Sequence, residues 1–159
     1  VTNLKSRIKT VLTKCPKSKI VMMGYSQGAQ VLHRAVAELE KAGATSQTKA
    51  IKAVWLIADP TNDGANTIHY IGDGKLAPYT TVKNWRGGLY ANAVKAPSIL
   101  SSNNTLSVCN EYDPVFHRTS ALNAVARLKA GAHSVYGASA WTTYPAKYTV
   151  AALKRAGVK

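Results

Sequence analysis

Gly24-Tyr25-Ser26-Gln27-Gly28 places a serine in a G-x-S-x-G pattern, between the apolar run Ile20 to Met23 and a segment where Val31, Leu32, Ala35, Val36 and Leu39 recur at helical spacing. A serine hydroxyl is a weak nucleophile until a base takes its proton. A sharp strand-to-helix turn supplies two further needs. It exposes the hydroxyl at the end of the strand, and it points a helix N-terminus at the negative charge that develops on a carbonyl under attack. The two glycines are expected to let the backbone turn tightly enough to strain Ser26, and the Gln27 backbone N–H is the expected oxyanion donor. The competing reading is a plain strand-to-helix turn in which Ser26 is an N-cap.

The serine needs a base, and the base needs a carboxylate to orient it. Ser, then acid, then His is the chain order of α/β hydrolases. Four histidines are available. His33 follows Ser26 by seven residues on the next helix and points along it, so a surface or packed histidine is the better reading. His69 and His117 fall in loops, and His69 precedes the favoured acid. His133 lies in the Gly-flanked stretch Gly131-Ala132-His133-Ser134-Val135-Tyr136-Gly137, where it can fold back over a sheet edge, and it is the expected base. Asp113 follows a later strand than the serine's and is the expected acid, although a bare Asp after a strand is also an ordinary turn residue. Asp59, ending the preceding strand, is the runner-up; Asp63 and Asp73 lie deeper in an irregular stretch. No cofactor or metal is needed for this chemistry, and none is expected.

The elements that must position these residues alternate. A helix is expected over 2–13, ending before Cys15-Pro16 because proline disfavours helix in the residue ahead of it. A strand buried on both faces is expected at 19–23, then a helix running to a C-cap at Gly43. Further buried strands are expected at 51–58 and 106–109, and helices at 121–128 and 145–156, the last with Pro145 at its first position. The stretch from 60 to 98 shows no clear period. Alternating buried strands and helices imply an α/β fold with a parallel sheet flanked by helices.

The chain has 159 residues, 46% of them apolar, which suits a single domain over 1–159. No stretch approaches the roughly 18 unbroken apolar residues of a membrane span. It opens at Val1 in the body of a helix, as a processed chain or a piece of a longer one would. Lys and Arg total 21 against 7 acids, a net charge of +14. Residues 1–37 and 114–159 each hold seven basic residues and no acid, so the excess sits in the two ends. Such a surface concentrates anionic polymers or an anionic membrane surface without selecting one. A nucleic-acid motif is absent, which argues against a specific nucleic-acid partner. Basic polyanion or membrane binding on an inactive scaffold is therefore the competing functional class. Cys15 and Cys109 are too few for a disulfide scaffold. Asn103 opens a glycosylation sequon that matters only in a secreted protein.

GYSQGAQ over 24–30, with Cys15-Pro16 eleven residues before the serine, Cys109-Asn110-Glu111-Tyr112-Asp113-Pro114, and His133 ahead of Tyr136-Gly137 together resemble the cutinase and acetylxylan esterase family. Ala58-Asp59-Pro60 is nearest to its acetylxylan esterase side. The resemblance implies a secreted serine carboxylesterase with Ser26 as nucleophile, Asp113 as acid, His133 as base and the Gln27 N–H as one oxyanion donor. Its implied substrates are esters, including cutin-like polyester and acetylated polysaccharide, and Tyr25, Tyr79, Trp85, Tyr90 and Tyr136 are candidates to line the cleft, although more of them are expected to serve core or surface packing than to touch substrate.

The family has strands ahead of the helix that opens this chain. The resemblance therefore implies the C-terminal portion of such a hydrolase, completed by a second chain or a cleaved N-terminal segment. The second oxyanion donor and the disulfide partner of Cys15 belong to that segment. The family's partner for Cys109 is replaced by Val115 and Phe116. Cys15 precedes its strand and Cys109 ends a parallel one, so the two are expected at opposite sheet edges, too far apart to bridge. An interchain or lost disulfide at Cys15 and a free thiol at Cys109 follow as expectations.

Overall fold

Leu4, Ile8 and Leu12 fall on one stripe, and a helix forms under them: α1 spans Thr2–Lys14, with Ile8 buried and Lys14 in its last turn, where a cation suits the helix dipole. The computed structural model describes residues 1–62, 69–71, 88–90, 97–100, 103–108, 113–115, 125, 128, 131, 133, 134, 136 and 139–158. After Pro16 the chain enters β1 (Ile20–Tyr25) and turns into α2 (Gln27–Lys41). The apolar period of α2 buries Ala29, Leu32, Ala35, Val36 and Leu39. Gly43, at φ 65°, closes it, with Gly43 N–H bonded to Glu40 O and Ala44 N–H to Leu39 O, both at 2.9 Å. These two bonds satisfy carbonyls that the helix end leaves without partners.

A short helix, α3 (Thr45–Ala50), leads into β2 (Ile51–Ile57); its polar sequence TSQTKA carries no apolar period, so nothing in the pattern announced it. Two more strands follow, β3 (His69–Ile71) and β4 (Thr105–Val108). The sheet order is β1-β2-β4-β3 and every pairing is parallel. His69 therefore opens a strand instead of lying in a loop, in a stretch whose composition hid it. All four residues of β4 are buried, as expected of a strand covered on both faces.

Two cores flank the sheet. On one face Ile8 of α1 and Leu32, Val36 and Leu39 of α2 pack with Met22, Val54 and Leu56. Ala58, Leu106, Val108 and Tyr136 form the second cluster, with Tyr148 from the last helix, α4 (Ser139–Arg155), against it. The Trp55 indole N–H is bonded to the Thr149 hydroxyl, and Tyr148 donates to Thr105 O at 3.0 Å, which docks α4 on β2 and β4. Pro145 lies inside α4, not at its start; the helix begins six residues earlier at Ser139, and Pro145 removes one N–H from its ladder. Of the expected 121–128 helix only Val125 and Leu128 are described, both helical.

β1 departs from expectation. It is an outer strand of the described sheet, with Met22 buried on the α2 side but Val21, Met23 and Tyr25 exposed on the other, Met23 by 65%. The run IVMM reads as buried on both faces, but α4 covers β2 and β4 and stops short of β1. Among the described residues, no helix is long and apolar enough to cross a membrane.

Glu40 fastens α2 to the segment ahead of β4. Its carboxylate accepts the Ser98 N–H at 2.9 Å, the Ile99 N–H at 3.2 Å and the Ser98 hydroxyl. Partial burial alone would raise this carboxyl, but the bonds from Ser98 and Ile99 outweigh it and hold it below the ordinary glutamate range. A carboxyl depressed in the folded state stabilises the fold above its unfolded pKa and loses that contribution as pH falls through the folded value. Glu40→Gln is expected to lower stability by roughly 1 kcal/mol at pH 7. The difference should shrink towards pH 3 in urea unfolding; a pH-independent difference would show that the charge is not involved.

Candidate active site

Ser26 stands at the carboxyl end of β1 with φ 53° and ψ −119°, in the region that L-residues avoid. Its N–H is bonded to Ile57 O at 2.8 Å, which keeps it on the β1–β2 ladder, and its own carbonyl accepts the first bond of α2, from Gln30 N–H at 3.1 Å. The strain therefore sits in the serine and not in the glycines. Gly24 serves close approach: a Cβ there would lie 2.7 Å from the backbone of Gly28 and Ala29, whereas a Cβ on Gly28 would meet open space. The Ser26 side chain makes no cap to its helix, so the N-cap reading fails.

The hydroxyl turns to histidine instead. Ser26 Oγ lies 2.9 Å from His133 Nε2, and His133 Nδ1 lies 2.8 Å from Asp113 Oδ2. With Nδ1 facing an aspartate, the neutral ring carries its proton there, which leaves Nε2 to accept the serine hydroxyl. Asp113 is fully buried, and its other oxygen accepts the Val115 N–H at 2.9 Å. His133 is partly open to solvent, at 22% side-chain exposure. Gln27 is the first residue of α2 and is exposed. Its N–H, like those of Gly28 and Ala29, has no intrahelical acceptor, because a helix's first N–H groups never do. Ser26, Gln27, Asp113 and His133 are thus gathered at one edge of the sheet.

Two tyrosines complete the arrangement. The Tyr25 hydroxyl donates to the His133 backbone carbonyl, and the Tyr25 ring stacks on the imidazole at 5.3 Å and 23°. Tyr136 donates to Asp113 Oδ2 at 2.6 Å. Burial, then the nearby Asp113 charge, pushes the Tyr25 phenol above its ordinary pKa, which keeps it a donor. Tyrosine content suggested a cleft lining; the hydrogen bonds were not legible, although Tyr25 and Tyr136 sit one and three residues from Ser26 and His133 in the sequence.

The alternatives are placed elsewhere. Asp59 accepts from His33 Nδ1 at 2.7 Å, and its other oxygen takes the Thr61 N–H at 2.9 Å and the Thr61 hydroxyl at 2.6 Å. His33 and Asp59 are both buried, so His33 is the packed histidine its position suggested, and Asp59 is committed to it. Cys15 is exposed with a free thiol. Asp63, Asp73, Tyr79, Trp85, Cys109 and His117 lie outside the described residues. Among the described residues, no cluster of three or more His, Cys, Asp or Glu is arranged to hold a metal.

The model of the Cutinase family matches residues 1–153. A cutinase of Hypocrea jecorina is 39% identical over 79 residues, 45% of this chain and 30% of that protein. Cutinase CUT2 of Pyricularia oryzae is 32% identical over 139 residues, 87% of this chain and 47% of that protein. The matched stretch is therefore less than half the length of either relative. Among solved structures, an acetylxylan esterase superposes with a TM-score of 0.62 at 22% identity, covering 97% of this chain and 68% of that one, which shows a shared fold.

The backbone at Ser26 is the mirror image of an ordinary extended conformation, which glycine adopts as readily as its reflection. Ser26→Gly is accordingly expected to be more stable than Ser26→Ala by about 1 kcal/mol in urea unfolding. Equal stabilities would mean that the turn is unstrained.

Proposed function

This chain belongs to the cutinase family, and from that premise we propose that it works as a secreted serine carboxylesterase through an acyl-enzyme. The observation that carries the reading is the continuous relay from Ser26 Oγ through His133 to Asp113, at 2.9 and 2.8 Å. His133 Nε2 takes the hydroxyl proton as Ser26 Oγ attacks the ester carbonyl. Negative charge moves to the carbonyl oxygen, where the Gln27 N–H and the positive end of α2 receive it. Collapse of the tetrahedral species breaks the ester C–O bond, and the imidazolium returns the proton to the departing alcohol. Water then repeats the sequence: His133 takes its proton, hydroxide attacks the acyl carbon, and Ser26 leaves with the proton regained. Asp113 holds the imidazole in the required tautomer throughout.

Cutin-like polyesters and acetylated polysaccharides are the substrates this reading favours, because the relatives are named cutinases and the fold neighbour an acetylxylan esterase. The exposed apolar face of β1 supports a second part of the proposal. A strand-bearing segment, on a cleaved or separate chain, covers Val21 and Met23, and the exposed Cys15 thiol is available to tether it.

The protein is expected to hydrolyse p-nitrophenyl acetate and to take a serine-directed phosphonate on Ser26. Ser26→Ala should abolish both, and Asp113→Asn should lower kcat by about 10⁴. Failure to label Ser26 would overturn the esterase reading; heparin retention that Ser26→Ala leaves unchanged would then favour polyanion binding through the basic surface.

Mass spectrometry of the protein from its natural source is expected to release a second chain on reduction. A single 17.0 kDa species before and after reduction would overturn the disulfide tether.

A further inference from the structure

Asp113 Oδ2 receives two donors, the His133 Nδ1–H at 2.8 Å and the Tyr136 hydroxyl at 2.6 Å. The imidazole sits against two aromatic rings that also meet each other: Tyr25 is stacked on its face, Tyr136 is edge-on at 6.5 Å and 80°, and the two tyrosine rings are 5.8 Å apart. Tyr25 also holds the His133 carbonyl through its hydroxyl, so the residue next to the nucleophile anchors the base in both backbone and ring. We propose that Tyr25 and Tyr136 are positioning residues that brace His133 as an adjoining pair, Tyr136 moderating its basicity through Asp113 and Tyr25 fixing its ring over Ser26. The proposal rests on the esterase reading for its consequence in catalysis, but its electrostatic part can be tested without turnover.

The two braces act with opposite sign. Tyr136 draws on the same oxygen that stabilises a protonated imidazole, and thereby weakens the hold of Asp113 on the imidazolium. Removing that hydroxyl leaves the whole carboxylate to the ring and favours its charged form. The Tyr25 face attracts a cation, so removing the ring disfavours the charged form. Among the described residues, the groups that meet His133 are Ser26 and Tyr25 from the β1 edge, Asp113 after β4, and Tyr136.

The experiment is an NMR pH titration of the His133 ring, assigned by its absence from His133→Gln, in the wild type, Tyr136→Phe, Tyr25→Phe and Tyr25→Leu. Tyr136→Phe is expected to raise the midpoint by about half a pH unit, and Tyr25→Leu to lower it by a similar amount. Tyr25→Phe keeps the ring and should leave the midpoint in place while lowering kcat/KM about tenfold, because only the anchor to the His133 carbonyl is lost. Where kcat/KM is measured against pH, its acid limb should move with the midpoint. A wild-type midpoint in Tyr136→Phe and Tyr25→Leu, or shifts of the same sign in both, would overturn the brace even if Ser26 takes the phosphonate. Opposite shifts in a protein whose Ser26 stays unlabelled would uphold the electrostatic pairing and remove the esterase reading alone.

Discussion

A serine at φ 53° between a strand and a helix costs about 1–3 kcal/mol relative to a relaxed backbone, and it persists only where the surroundings determine it more strongly than its own preference. Here both sides are fixed. The Ser26 N–H belongs to the ladder with β2, and its carbonyl begins α2. α2 is held against the sheet by Leu32, Val36 and Leu39, each contributing about 1.5–3 kcal/mol of burial. Gly24 lets the start of α2 approach to a distance that a Cβ would forbid. The helix, the strand and the missing side chain at position 24 thus force the turn, and the turn brings the hydroxyl, instead of an apolar side chain, to the sheet edge.

The same edge carries a second non-glycine residue with positive φ, Ala58 at 51°, immediately before Asp59. Asp59 and Thr61 clasp His33, and Asn62 reaches Ser107 of β4 at 3.1 Å, so the exit of β2 is pinned both to α2 and to β4. The described residues therefore include two His–Asp pairs of nearly equal geometry, at 2.7 and 2.8 Å. Their surroundings give them different work. His33 is 1% exposed and its Nε2, on the far side of the ring from Asp59, meets no hydrogen-bond partner among the described residues, so it joins elements and meets no substrate. His133 keeps its Nε2 on a serine and part of its surface in water.

Much of this was legible in the sequence where one signal dominated. The apolar runs over 20–23, 51–57 and 106–108 became parallel strands, and the 3.6-residue period of α2 was plain because its buried residues are all on one stripe. The misses share a cause: each depended on tertiary context that local pattern does not carry. Five polar residues and Ala50 formed α3 because the chain had to re-enter the sheet at Ile51. Three residues formed β3 by pairing with β4, with no apolar alternation to mark them. Pro145 resembled a helix start, yet α4 runs through it, since packing of Tyr148 and Thr149 on the sheet outweighs one lost N–H. Val21 and Met23 read as buried because apolar content says how a residue would pack and not whether anything covers it.

The register of the parallel sheet explains how residues so far apart in sequence share one edge. Tyr25 pairs with Ile57, and Ile57 with Val108, so β1, β2 and β4 end on one line. Parallel strands all deliver their carboxyl ends to the same side. The next residue of β1 is Ser26, that of β2 is the strained Ala58 ahead of Asp59, and five residues beyond β4 comes Asp113. Histidine is the one member that no strand delivers: His133 lies 107 positions from Ser26. A group arriving on a loop lacks the precision that a ladder confers, and it must be held by bonds of its own. That is the physical reason the Tyr25 hydroxyl reaches the His133 carbonyl, and that the Asp113 carboxylate is itself held by the Val115 N–H and the Tyr136 hydroxyl.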